Sequence, residues 1–113
     1  MTIAKSPRRG DVYWTVLDPT RGAEMQKTRP CLVVTADILN ERRRTVVIVP
    51  LSTTSPKKFP LYVEISSIGK SSQAVIDQIR VVDKDRIGKR IGSVADDEME
   101  KIVEAMKMVF AMD

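Results

Sequence analysis

Most of this chain is a succession of short apolar or alternating runs of strand length, and only the final segment takes helical spacing. DVYWTVL, from Asp11, is rich in β-branched and aromatic residues and predicts a first strand. Asp18-Pro19-Thr20 with Gly22 marks the turn out of it. Pro30 then opens the apolar run CLVVTA, short enough for a buried strand, and a proline at a strand's first position removes no ladder bond. TVVIVPLST is nearly continuous in apolar residues, which predicts a central strand covered on both faces, with Pro50 at a bulge or at its end. LYVEIS sets Leu61, Val63 and Ile65 on one face and Tyr62 and Glu64 on the other. QAVIDQIRVV predicts another strand, broken near Asp77-Gln78, and KRIGSV a last short one. Single helical turns are expected at Ile38–Glu41 and Asp83–Ile87.

From Asp96 to Ala111 the period changes. Met99, Ile102, Val103, Met106, Val109 and Phe110 recur on one helical face, and Asp96, Asp97 and Glu98 fill the first turn, where the helix dipole favours negative charge. Four methionines on or near this helix read as core packing. The predicted class is mainly β with α (α+β). It is a strongly bent antiparallel sheet of roughly five to seven short strands with one C-terminal amphipathic helix.

Composition narrows the chemistry. The 113 residues suit a single domain, with 42% hydrophobic residues to fill one core, and residues 1–9 read as a loose basic arm. No apolar run reaches the ~20 residues of a membrane span, and the basic start lacks the apolar stretch of a secretory signal. Cys31, the single cysteine, sits in an apolar strand, as a small buried hydrophobe of a reducing cytoplasm would. There is no histidine, so the commonest general acid–base group and metal ligand is missing, and no metal or other cofactor is expected. Residues 1–60 hold 11 Lys and Arg against 5 Asp and Glu, the footprint of a protein that meets a polyanion such as nucleic acid.

The loop GAEMQKTRP, Gly22 to Pro30, concentrates candidate groups: Glu24, Gln26, Lys27, Thr28 and Arg29. Arg29 presents a planar cationic fork that fits phosphate oxygens. The third strand ends in Ser52-Thr53-Thr54 beside the basic pair Lys57-Lys58. In an antiparallel arrangement the start of strand two and the end of strand three meet at one sheet edge, bringing Arg29 near Ser52 and Thr53. A cationic, hydroxyl-lined pocket can align a ribose 2′-hydroxyl on its own phosphate and neutralise the phosphorane. The bland readings stay beside these: a solvated loop, a solvated Arg42-Arg43-Arg44 triplet, and a Trp14 that packs in the core rather than stacking on a base.

RRGDVYW, LDPTRGAEMQKTRPCLVVT, TVVIVPLSTT, the VIDQIRVVDKDRIGKRIG block and the closing helix together resemble the MazF/PemK family of toxin endoribonucleases, from about Arg9 to Met112. That resemblance implies a small SH3-like β-barrel and a homodimer. It also implies metal-independent cleavage of single-stranded RNA at short sequences, leaving a 2′,3′-cyclic phosphate and a 5′-hydroxyl. A cognate antitoxin would neutralise the toxin, and DNA would be met only through the antitoxin complex. Carried over by position, Arg29 matches the catalytic arginine of the RP pair and Glu24 a glutamate with an acid–base role. The catalytic hydroxyl, usually threonine, falls on Ser52, with Thr53 next to it. Asp77 matches an acidic position at the cleavage site of some members, whose accompanying arginine is Val75 here. Gln26, Lys27, Thr28, Lys57 and Lys58 would border the RNA. Two alternatives stay open: a gyrase-poisoning protein of the related CcdB type, and a weakened RNA binder of the same fold.

Overall fold

Strand β1 (Asp11–Val16) pairs antiparallel on one edge with β2 (Thr28–Val33) and on the other with β7 (Ile87–Ser93). This arrangement comes from a computed structural model that describes residues 6–53 and 57–113; Thr54, Ser55, Pro56 and residues 1–5 of the expected basic arm lie outside it. β3 (Thr45–Ser52) pairs with β2 and is the central strand, buried from Ile48 to Ser52. Its other edge is shared: β6 (Arg80–Asp83) takes Thr45 to Ile48, and β5 (Ser72–Val75) takes Leu51 and Ser52. β4 (Tyr62–Ile65) lies outside β5. The single expected segment QAVIDQIRVV is thus two strands, separated by a 3₁₀ turn at Ile76–Gln78 where the break was expected.

Pro50 is inside β3 rather than at its end, and its register with Cys31 is unbroken. It falls where the free edge of β3 passes from β6 to β5, so its missing N–H costs neither ladder a bond. Pro30 is likewise the third residue of β2, opposite Trp14, because the strand starts two residues earlier than the apolar run suggests.

The sheet order β4-β5-β3-β2-β1-β7, with β6 on β3, bends strongly, but no hydrogen-bonded ladder joins β4 to β7 among the described residues. The barrel is therefore open. At the mouth, a methyl-sized group on Gly92 would meet Ile68 Cγ2 at 3.4 Å, so side-chain packing stands in for the missing ladder.

Alternation along the strands divides the interior in two. Val12, Leu32, Val49, Leu51, Val63 and Ile65 point to one side, where helix α2 (Asp96–Val109) covers them with Ile102 and Ala105. Leu17, Cys31, Val33, Val46, Ile48 and Val82 point to the other. Ala105 carries more of the helix contact than the apolar pattern suggested, while Phe110 and Leu61 are exposed. Glu98 accepts the Ala95 amide at 3.1 Å and the Ser66 amide at 2.8 Å, which caps α2 and ties it to the turn after β4. Burial alone would raise the Glu98 pKa; these bonds, with the Ser67 hydroxyl, outweigh it and hold the carboxyl below its ordinary range.

α1 (Asp37–Arg42) extends the expected turn by a residue at each end. Its Asp37 pairs with Arg8 at 3.1 Å and accepts the Arg9 amide at 2.7 Å. The described part of the expected loose arm is therefore tied down, and Pro7 is buried. The other expected turn is a 3₁₀ turn at Lys84–Arg86.

Candidate active site

The loop between β1 and β2 is closed at its base by backbone and side-chain bonds. The Leu17 amide donates to the Lys27 carbonyl at 2.8 Å, and the Lys27 amide donates to Asp18 Oδ1 at 2.9 Å. Between them Lys27 takes a left-handed backbone, φ 70°, which non-glycine residues adopt seldom and only where neighbours hold them there. At the tip Gly22 turns the chain at φ 57°, and Glu24 accepts the Arg21 amide at 2.7 Å. The exposed Glu24 carboxylate therefore closes its own turn.

Residues distant in sequence hold the loop from beneath. Gln78 Oε1 accepts the Met25 amide at 3.1 Å. The Arg80 guanidinium donates to the Met25 carbonyl at 3.5 Å and to the Leu17 carbonyl at 3.3 Å, thus spanning the loop. Arg86 donates to the Val16 carbonyl at 3.3 Å and also to the Asp18 carbonyl. These anchoring residues were not singled out from sequence; the signal that could have found two of them is the DQIR motif itself. Asp77 of that motif is exposed in the 3₁₀ turn, and the anchoring falls to its neighbours Gln78 and Arg80.

The β2–β3 register pairs Cys31 with Pro50. Continued by two residues, it sets Arg29 against Ser52. Alternation puts both on the side of Cys31, Val33 and Ile48, because Arg29 is two residues from Cys31 and Ser52 four from Ile48. The Cys31 thiol, pushed up to about 12 by burial, is partly offset by a Thr15 hydrogen bond and by the positive charges of Arg80 and Arg29. Both guanidinium groups thus act on the same side of the sheet, and among the described residues neither has a carboxylate partner within salt-bridge distance. Arg29 Nε donates to the Gln26 carbonyl at 3.1 Å, which fixes the fork at the loop's end.

Thr53 stands on the opposite side. With Thr28, Arg29, Pro30 and Leu51 it lines a cleft of about 470 Å³ that also takes in Trp14, Lys27, Ile68 and Ile91. Trp14 is 44% exposed there, not packed in the core, although on β1 it shares a side with the buried Val12. Gln26 and Thr28 are exposed beside Arg29, while Lys57 and Lys58 are exposed beyond β3. The β2–β3 register, extended, sets Arg29 against Ser52 and Thr28 against Thr53, and Arg29 also lines the cleft that holds Thr53. No group of three or more His, Cys, Asp and Glu among the described residues could hold a metal ion.

A cationic fork, a hydroxyl and a rigid polar loop at one sheet edge can bind and polarise a phosphodiester. The sequence signature described as the PemK-like, MazF-like toxin of type II toxin–antitoxin systems matches residues 8–110. The chain is 34% identical over 110 residues to the endoribonuclease EndoA of Bacillus subtilis (strain 168), covering 93% of this chain and 95% of that protein. Among solved structures it is similar to a mycobacterial endoribonuclease in complex with its cognate antitoxin, with a TM-score of 0.79 and 26% identity over 97% of this chain and 98% of that one. In fold it also matches MazF from Deinococcus radiodurans, with a TM-score of 0.85 and 21% identity over 95% and 98% of the two chains.

Proposed function

The chain belongs to the PemK-like, MazF-like toxin family of type II toxin–antitoxin systems, and from that membership we propose that Arg29 and Ser52 are the reacting pair of its RNA-cleaving groove. It is a toxin endoribonuclease that cuts single-stranded RNA at short sequences by transesterification. The ribose 2′-oxygen forms a bond to the adjacent phosphorus and gives up its proton. The bond from phosphorus to the 5′-oxygen breaks, and that oxygen takes up a proton. The products are a 2′,3′-cyclic phosphate and a 5′-hydroxyl, with no metal taking part.

The two non-bridging oxygens carry most of the negative charge of the phosphorane, with the rest on the entering 2′-oxygen and the leaving 5′-oxygen. Arg29 meets that charge with parallel N–H donors, and the Ser52 hydroxyl donates to a neighbouring phosphoryl oxygen. Arg80 adds a second positive charge behind the pair. Most of the catalysis is then electrostatic and positional, which suits a site without histidine. The observation that supports Ser52 over Thr53 is strand alternation: Ser52 shares a side with Arg29, whereas Thr53 shares the other side with Thr28. Glu24 acts by shaping the loop. Gln26, Lys27, Thr28, Lys57 and Lys58 contact the RNA around the cut, and Asp77 lies at the groove's margin.

In the cytoplasm a cognate antitoxin neutralises the toxin by covering this groove, in keeping with relatives solved in complex with theirs. A second copy of the chain covers the apolar cleft around Trp14, giving a homodimer. Purified protein in EDTA, given a long single-stranded RNA, should yield discrete cuts that Arg29→Ala abolishes. RNA left equally intact by both, with gyrase inhibited instead, would overturn the assignment.

A further inference from the structure

On the Arg29 side of the sheet a row of side chains continues away from Ser52. The β3–β5 register sets Ser52 against Gln73, and the β5–β4 register sets Gln73 against Glu64. Tyr62, two residues along β4 from Glu64, faces the same way, while Val63 and Ile65 turn into the core. With Lys57, Phe59 and Lys101 these residues line an open pocket of about 300 Å³, at the small end of ligand sites.

Gln73 is the residue that marks this pocket as more than a surface dent. It is only 3% exposed, yet its side-chain amide has no hydrogen-bond partner among the described residues. Among the described residues the one fully buried side-chain polar atom without a partner is Asn40 Oδ1, so the Gln73 amide is open to the pocket and offers two donors and an acceptor to whatever enters. Two cations sit on aromatic faces around it: Lys57 Nζ is 5.3 Å from the Tyr62 ring centre, and Lys101 Nζ is 4.6 Å from that of Phe59. A flat, hydrogen-bonding, negatively linked ligand would match all three features. A nucleobase on a phosphate backbone is such a ligand, since unpaired RNA bases are held by stacking on aromatic rings and by hydrogen bonds to their edges.

Building on the RNA-cleaving reading of Arg29 and Ser52, we propose that this pocket holds one unstacked base of the RNA next to the scissile phosphate. Tyr62 supplies the stacking face, Gln73 pairs with a donor and an acceptor on the base edge, and Glu64 at the rim accepts from an exocyclic amino group. Adjacent strands lie about 4.8 Å apart, so the pocket begins within a single nucleotide's reach of Ser52. The carboxylate of Glu64 makes the pocket selective: adenine, cytosine and guanine carry an amino group and uracil does not.

The test is cut-site profiling of the full-length protein on a single-stranded RNA library randomised around the cleaved bond. Wild type should show one position next to the cut at which uracil is disfavoured. Glu64→Gln should relax that discrimination at least about fivefold at that position alone. Tyr62→Leu, a change at a partly exposed residue, should slow cleavage about tenfold. Gln73→Glu should alter the preferred base at the same position, if its melting temperature stays near wild type. Profiles and rates of Glu64→Gln and Tyr62→Leu identical to wild type would overturn the subsite while leaving the nuclease reading standing. A wild-type protein that cuts no RNA would overturn both.

Discussion

Gln78 Oε1 accepts the amide of Met25 at 3.1 Å across 53 residues of sequence, so one end of the β1–β2 loop is held by the turn between β5 and β6. Losing that bond leaves a part-buried N–H without its partner, a cost of about 1 kcal/mol. Gln78→Ala should therefore lower the melting temperature by only about 4 °C. Its effect on turnover should be larger, about tenfold or more at saturating RNA, because small displacements of a positioned group are amplified in rate. Amide exchange at Met25 should speed up in the same variant. A turnover loss no greater than the stability loss explains would remove Gln78 from the positioning role. Arg80→Lys should behave alike, since one ammonium cannot match a fork spread over Leu17 and Met25.

Ser52→Ala and Thr53→Ala should separate sharply. Removing a hydroxyl that donates to the phosphorane should cost roughly 10²–10³ in turnover, the usual loss for one such donor. Ser52→Thr should restore most of it. Thr53→Ala should stay within about threefold of wild type, as expected of a residue on the other side of the sheet. Equal, small effects at both positions would leave the reaction without a hydroxyl.

Cys31 should be silent toward thiol reagents in the folded protein. Its thiol is buried and its pKa is pushed up to about 12, so almost no thiolate is present at pH 8. Labelling by a disulfide reagent should rise only as denaturant unfolds the chain, and its rate should track the unfolded fraction. Rapid labelling of native protein would contradict the packing on this side of the sheet.

Acid should weaken the junction between α2 and the sheet. The Glu98 and Asp11 carboxyls are both held below their ordinary range, Glu98 by the turn at Ser66 and Ser67 and Asp11 by Arg90 and Ser93, in each case against burial. A group with a depressed folded pKa adds stability above its unfolded value, about 4 for these residues, and that stability is lost as pH falls through the folded value. Melting temperature should accordingly drop as the pH is lowered from about 5 toward 3. Glu98→Gln should flatten part of that slope and leave the part due to Asp11. An unchanged slope would mean that the carboxylate at the start of α2 does not couple to folding.

Elements with their own periodicity were legible from the sequence: α2, the central strand β3, the alternating β4 and the break at Asp77-Gln78. So was the meeting of Arg29 with the end of β3, which needs only antiparallel pairing. What the sequence left open was which of two adjacent hydroxyls meets Arg29. A change of one residue in register reverses every facing, and the pairing of Cys31 with Pro50 is what favours Ser52. Trp14 reads as core from its strand pattern, but it lines an open cleft, and nothing near it in sequence reports that. Pro50 looked like a strand terminator, since the sequence does not reveal that one strand edge is divided between two partners. Gln73 carries no local mark, and the DQIR motif flags Gln78 and Arg80 without saying what they hold. Their importance arises from neighbours dozens of residues away.

The Arg80 guanidinium touches the loop only through the backbone carbonyls of Leu17 and Met25. A carbonyl is the same whatever side chain its residue bears. That staple does not read the loop's side chains, while Asp18, Gly22 and Glu24 still set the bend at its tip. Substitutions at exposed tip positions such as Arg21 and Ala23 change what the loop offers to a partner and leave its anchorage under Arg29 intact.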